Sequence, residues 1–222
     1  MEQRSSEIMA ELVEISHPAA IDRALREIRT GNVIVLPLES GYVFAADAFN
    51  RSAVASLHLL RSDPSGQAAS VMIGDKTRIV GITREISSGA NTLIDRFWPG
   101  LLTLFLRPHP ALTWDLGDSR LLDQVAVRVP QSEFAIHLLN ETGPLAVAGA
   151  CLAGRSPFAQ PSLINEVFGS HLDLIFDGGD IEAVGQSTVV DCTTTPPRLI
   201  RQGAVSYAAL REAWPEIIED VG

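Results

Sequence analysis

The sequence predicts an α/β fold built on a mixed sheet. Apolar strand-like runs alternate with helical patterns from residue 18 to residue 214, and strands outnumber helices in the second half. No internal repeat or low-complexity tract interrupts that alternation. With 222 residues, 46% of them hydrophobic and 20% charged, the chain has the length and composition for one domain with a sizeable core.

Residues 1–15 are polar and acidic and read as a loosely docked arm. Residues 18–29 form the first helix. Ile21, Leu25 and Ile28 recur at helical spacing, Pro18 suits the first turn and Gly31 lies past the end. The β-branched run 33–36 is a buried strand. Residues 51–60 carry Val54, Leu57 and Leu60 on one stripe and form the second helix. A strand at 70–73 ends at Gly74-Asp75. A helix at 86–97 stops at the corner Trp98-Pro99-Gly100, before a strand at 101–106. Residues 108–123 are an irregular connection. A strand at 125–129, a helix at 132–141, a strand at 145–147 and a short helix at 163–168 follow. Strands at 172–176, 187–191 and 198–200 precede a closing helix at 207–214. The domain proper therefore spans 16–206, with a C-terminal helix and tail at 207–222.

The net charge of −10 disfavours broad binding to nucleic acid, which depends on neutralising phosphates with Lys and Arg. Lys76 is the only lysine, so a long cation that grips an anion here is an arginine, whose planar fork suits bidentate contacts. Cys151 and Cys192 show no CxxC spacing, and the five histidines are scattered. A reducing compartment and no structural metal are expected. The polar N-terminus lacks a signal core and no apolar run reaches membrane length, which predicts a cytoplasmic protein. Neither GxGxxG nor GxxxxGK[ST] occurs, so the common dinucleotide and P-loop motifs are absent.

Three segments join strand-like runs to hydroxyl or arginine groups of the kind that bind small anions. They are Pro37-Leu38-Glu39-Ser40-Gly41-Tyr42, Gln186-Ser187-Thr188-Val189-Val190-Asp191 and Ile200-Arg201-Gln202-Gly203-Ala204. Plainer roles stand beside these. Ser187 and Thr188 also suit backbone capping, and Arg201 suits an exposed strand end. Arg128 points away from whichever face Val127 and Val129 bury, into a pocket or to the surface. Glu39 and Tyr42 also suit a strand-to-helix turn. Cys151 reads as a buried inert thiol before a nucleophile, and Asp177-Gly178-Gly179-Asp180 as a plain turn.

Taken in order, VIVLPLESGYVFAADAF, LLRSDPSGQAASVMIGD, FWPGLLTLFL, VAVRVP, GPLAVAGACLAG, QSTVVD and IRQGA resemble the YrdC/Sua5 family from about Ile21 to Ala204. The resemblance implies a twisted mixed sheet with flanking helices and a concave ligand-binding face. It also implies synthesis of threonylcarbamoyl-adenylate from L-threonine, bicarbonate and ATP with Mg2+, for the t6A modification of tRNA. Some members are described as binding double-stranded RNA. Carried over, the resemblance places Arg61, Gly149, Cys151, Ser187 and Arg201 at the nucleotide and its phosphates. It places Glu39, Ser40, Tyr42, Arg128 and Thr188 around the amino acid.

The motifs match in part. In the first, Pro37, Glu39 and Tyr42 match, Ser40 replaces a threonine, and Leu38 removes a hydroxyl. In the second, a Lys-x-Arg-Pro pattern aligned on Pro64, Arg61 keeps the first cation and Asp63 reverses the second; the alternative alignment makes Arg61 the second cation with Leu59 at the first, so one cation is lost either way. In the third, a Ser-Ala-Asn-x-Ser-Gly pattern, Gly149-Ala150-Cys151-Leu152-Ala153-Gly154 lacks both serines and the asparagine. A hydrogen bond to a charged group contributes about 1.5–3 kcal/mol. A carboxylate facing a phosphate about 4 Å away costs up to roughly 4 kcal/mol before screening. Water or the nearby Arg155 would offset part of such a loss. Two readings follow: a working adenylate-forming synthase, or an inactive homologue that binds another small ligand, an RNA or a protein partner such as a tRNA-modification protein.

Overall fold

The computed structural model describes residues 9–119, 121–182 and 184–219. In chain order the elements are β1 (Glu11–Glu14), α1 (Ala20–Thr30), β2 (Ile34–Leu38), β3 (Gly41–Asp47), α2 (Arg51–Arg61), β4 (Ser70–Met72), α3 (Ser88–Phe97), β5 (Leu102–Leu106) and β6 (Val125–Arg128). They continue with α4 (Glu133–Thr142), β7 (Leu145–Gly149), α5 (Pro161–Phe168), β8 (Leu174–Asp177), β9 (Thr188–Asp191), β10 (Arg198–Arg201), α6 (Tyr207–Ala213) and β11 (Ile218–Glu219). Among the described residues the strands form one mixed sheet in the order β1-β8-β2-β3-β7-β4-β6-β5-β9-β10-β11. Asn50, Ser87, Ser132 and Ser206 start α2, α3, α4 and α6 by accepting hydrogen bonds from first-turn amides.

The sheet differs from expectation at three places. The arm assigned to 1–15 contains β1, which pairs in parallel with β8 from Glu11↔Leu174 to Glu14↔Asp177. Its edge position explains the alternating, mostly exposed ELVE pattern. β11, in the tail assigned to 207–222, pairs with β10, so the sheet takes in residues on both sides of 16–206. The third is β3, an unexpected strand that turns the Glu39–Tyr42 segment into a β-hairpin rather than a strand-to-helix turn. Leu38 pairs with Gly41 across a two-residue turn, and Gly41 adopts φ +112, a conformation that favours glycine.

Three apolar clusters use the pleat. Along β3, Tyr42, Phe44 and Ala46 pack toward α2 and α5, against Ala53, Leu57, Ile164 and Phe168. Val43 and Ala45 pack toward α1 and α4, against Ala24, Ile28, Leu138 and Leu139. Farther along the sheet, Val71, Leu102, Leu104, Val127 and Val190 pack with Leu93 and Ile94 of α3 and Leu210 of α6. Successive strand residues face opposite sides. Ser70, Met72, Thr103 and Arg128 therefore point to the other face of β4, β5 and β6, where they line an open cavity. No helix among the described residues is long and apolar enough to cross a membrane.

Candidate functional site

The cavity, about 230 Å³ in volume, lies on that concave face. Ser40 from the β2–β3 turn, Arg61 from the end of α2, Arg128 from β6, and Gly149, Cys151 and Arg155 around the end of β7 contribute to its wall. Ser187 and Arg201, on the β9–β10 side, also line it. Among the described residues no Asp or Glu lines it. In a chain of net charge −10, this local collection of arginines makes the cavity locally positive.

The path of the backbone sets each group. β9 starts at Thr188, which pairs with Leu102, and the pleat sends Thr188 into the interior while Ser187 reaches the cavity. Arg201 Nη2 donates to the Ser187 carbonyl at 2.9 Å and to Ser187 Oγ at 3.1 Å, and Thr103 Oγ1 donates to Ser187 Oγ at 3.1 Å. Gly203 fits only because it lacks a side chain. A Cβ there would come within 2.2 Å of the Gln186 carbonyl. Arg201 is exposed overall, yet desolvation of its guanidinium lowers its pKa. It stays charged, since arginine does not deprotonate in proteins.

Arg128 is buried. Its Nε donates to the Gly100 carbonyl at 2.8 Å, which gives the Trp98-Pro99-Gly100 corner a role in the site, and Nη2 donates to Glu39. Burial lowers the Arg128 pKa, and the charge of Glu39 and its hydrogen bond act against that. Glu39 Oε1 also accepts from the Gln131 amide at 3.2 Å. Arg61 is also buried. Its Nε donates to Asp63 Oδ2 at 2.9 Å, and Nη1 donates to the Gly149 carbonyl and to the Cys151 carbonyl at 3.3 Å. Burial disfavours the Arg61 cation, but hydrogen bonds to Asp63 and Cys151 outweigh it and raise the pKa. The Cys151 thiol is 2% exposed and lies 3.3 Å from Arg61 Nη1 and 3.1 Å from the Arg155 carbonyl.

Of the residues singled out in the sequence, Ser40, Arg61, Arg128, Gly149, Cys151, Ser187 and Arg201 meet at the cavity, and Glu39 stands behind Arg128. Like Glu39, two others, Tyr42 and Thr188, do not reach it. Tyr42 is fully buried on the opposite face of β3. Its hydroxyl donates to the Gly179 carbonyl at 2.8 Å and accepts from the Gly178 amide at 3.0 Å. Thr188 Oγ1 donates to the Val205 carbonyl at 2.7 Å and accepts from the Gly203 and Val205 amides at 2.9 and 3.0 Å. Both hold loops in place rather than a ligand. The expected repulsion by Asp63 is likewise corrected. Its side chain is 1% exposed, bound to Arg61 and His58, and outside the cavity wall. Leu38 packs among the residues under α1 and α4 and is not on the cavity wall.

Sequence reasoning missed Ser70, Thr103 and Gln186, which also line the cavity. Ser70 and Thr103 carry a usable signal, since each is a lone polar residue beside strand positions that face the core.

The fold and cavity define a class: a mixed α/β sheet with flanking helices and an arginine-lined cavity on one face. The chain belongs to the Sua5/YciO/YrdC family, whose sequence profile, described as "Telomere recombination", matches residues 26–203. A Mycobacterium tuberculosis protein, provisionally designated a threonylcarbamoyl-AMP synthase, is 36% identical over 189 residues, covering 85% of this chain and 86% of its own length. The threonylcarbamoyl-AMP synthase of Bacillus subtilis is 32% identical over 207 residues, covering 91% of this chain and 58% of its own. The crystal structure of Pyrococcus abyssi Sua5 complexed with L-threonine superimposes with a TM-score of 0.87 at 28% identity, covering 95% of this chain and 63% of that one. The chain thus spans less than two thirds of the Bacillus and Pyrococcus proteins.

Proposed function

We propose that this chain is a threonylcarbamoyl-AMP synthase, using L-threonine, bicarbonate and MgATP. The observation that carries the reading is the cavity wall: Arg61, Arg128, Arg155 and Arg201, with no carboxylate among the described residues. Two losses inferred from the motifs are offset there. Asp63 is turned away and paired, and Arg155 adds a cation beside the altered third motif.

Arg201 and Arg155, with Ser187 between Arg201 and Thr103, take phosphate oxygens. The Nη2 edge of Arg61, which has no hydrogen-bond partner among the described residues, faces the same ligand. Ser40 and Arg128 contact the amino acid. Mg2+ would enter with the substrate as MgATP and would offset the charge of the phosphates. The threonine amine and bicarbonate give a carbamate with loss of water. A carbamate oxygen then attacks the α-phosphorus, the bond to the β-phosphate oxygen breaks, and pyrophosphate leaves. Positioning and charge stabilisation supply the catalysis, with no covalent enzyme intermediate. The product suits a later transfer to tRNA.

ATP–pyrophosphate exchange that requires both L-threonine and bicarbonate tests this reading. Absence of exchange, together with absence of ATP binding at millimolar concentration, returns the chain to the non-catalytic alternative.

A further inference from the structure

Asp63, which reverses a charge of the family pattern, is tied to two neighbouring side chains, Arg61 and His58. α2 ends at Arg61, and Ser62 takes a left-handed conformation at φ 54, turning the chain back so that the Asp63 amide donates to the His58 carbonyl at 3.1 Å. This brings the Asp63 carboxylate against two side chains of the helix it follows. Its Oδ2 lies 2.9 Å from Arg61 Nε and 2.9 Å from His58 Nδ1, and Oδ1 lies 3.2 Å from Arg61 Nε. His58 is anchored in turn, with Nε2 2.8 Å from the Leu116 carbonyl. On its other side Arg61 reaches the Gly149 and Cys151 carbonyls. The guanidinium is held at Nε and at Nη1, and Arg61 forms part of the cavity wall.

We propose that Asp63, backed by His58, is a positioning residue that fixes the Arg61 guanidinium for the anionic ligand. The reversed charge then strengthens the grip of the site instead of weakening it. This rests on the synthase reading for its substrate but not for its geometry. A pre-set arginine avoids the ordering cost that a free side chain bears on binding, about 0.5–1.5 kcal/mol. Simple electrostatics predicts the opposite sign, because removing a nearby negative charge strengthens attraction for a phosphate. The sign of the effect therefore separates the two accounts.

The test compares the full-length protein with Asp63→Asn, which retains the shape and one acceptor, and with His58→Gln. Positioning predicts that Asp63→Asn raises KM for MgATP by about three- to tenfold, given about 1.4 kcal/mol per decade, with kcat within about twofold. His58→Gln gives a smaller rise in the same direction. A change confined to folding lowers the active fraction and hence apparent kcat, leaving KM alone. An unchanged or lowered KM in Asp63→Asn overturns the proposal.

A second readout needs no catalysis. The buried Arg61 Nε–H, assigned by its loss in Arg61→Lys, is expected as a slowly exchanging 15N resonance that shifts or vanishes in Asp63→Asn. An unperturbed resonance overturns the proposal. If the wild type shows no exchange activity while this resonance responds, the synthase reading fails and the positioning role stands.

Discussion

The arginines of the cavity fall into two regions with different physics. Arg61 and Arg128 are buried at 8% and 5% exposure, each with a carboxylate on its guanidinium. Arg155 and Arg201 are exposed, and no ion pair among the described residues takes them. A buried cation persists only when paired and hydrogen-bonded, so the first two are parts of the architecture that also present an edge to the ligand. The second pair keeps its charge for whatever enters. One residue type thus does two jobs, and its partner decides which.

The largest effect that tests this contrast is on stability. Glu39→Ala leaves the Arg128 charge buried without its partner, and loss of about 3–5 kcal/mol is expected in chemical denaturation. A change within experimental error would show that Arg128 does not depend on the pair. Next is Arg201→Ala, which removes a ligand contact and no ion pair. It should raise the ATP KM or Kd by about 10–100-fold, corresponding to about 1.5–3 kcal/mol, with a much smaller loss of stability than Glu39→Ala, since only its hydrogen bonds to Ser187 are lost. A large fall in the midpoint instead would place Arg201 among the structural arginines.

Tyr42→Phe probes the correction made at β3. It orphans the Gly178 amide and is expected to cost about 1–3 kcal/mol of stability while leaving KM for both substrates unchanged. The same variant has a pH signature. Desolvation by burial, the largest cause, raises the Tyr42 pKa from 10.0 to about 12. Between those values the unfolded chain releases a proton that the native state keeps, so stability present below pH 10 is lost as pH rises toward 12. That part of the alkaline decline should disappear in Tyr42→Phe. The smallest effect is expected from Ser187→Ala, a rise of about 2–10-fold in ATP KM, since a neutral hydrogen bond contributes about 0.5–1.5 kcal/mol. A rise as large as that of Arg201→Ala would mean that the hydroxyl orients Arg201 as well as the ligand.

The strands with a strong apolar run were legible, and β3 was not. GYVFAAD is buried on both faces, so it lacks polar–apolar alternation, and its alanines have weak strand preference. The site was legible where a motif supplied a residue and illegible where facing mattered. Ser187 and Thr188 are adjacent, equally polar and in the same motif, yet the pleat sends one to the cavity and the other to the Gly203–Val205 loop. Asp63 shows the same limit. Its charge was readable, but its direction depended on a left-handed Ser62 with no glycine to announce it.

The sequence alone determined the α/β class, the order of most elements, the family and most of the polar residues that line the cavity. These follow from local periodicity and from residue types at fixed spacing. Only the tertiary structure decided which polar groups face the cavity and which charges neutralise one another. Both depend on strand facing and on contacts between residues as far apart in the chain as Glu39 and Arg128. A buried charge takes its role from the partner that folding brings to it, and a linear order of residues does not state that partner.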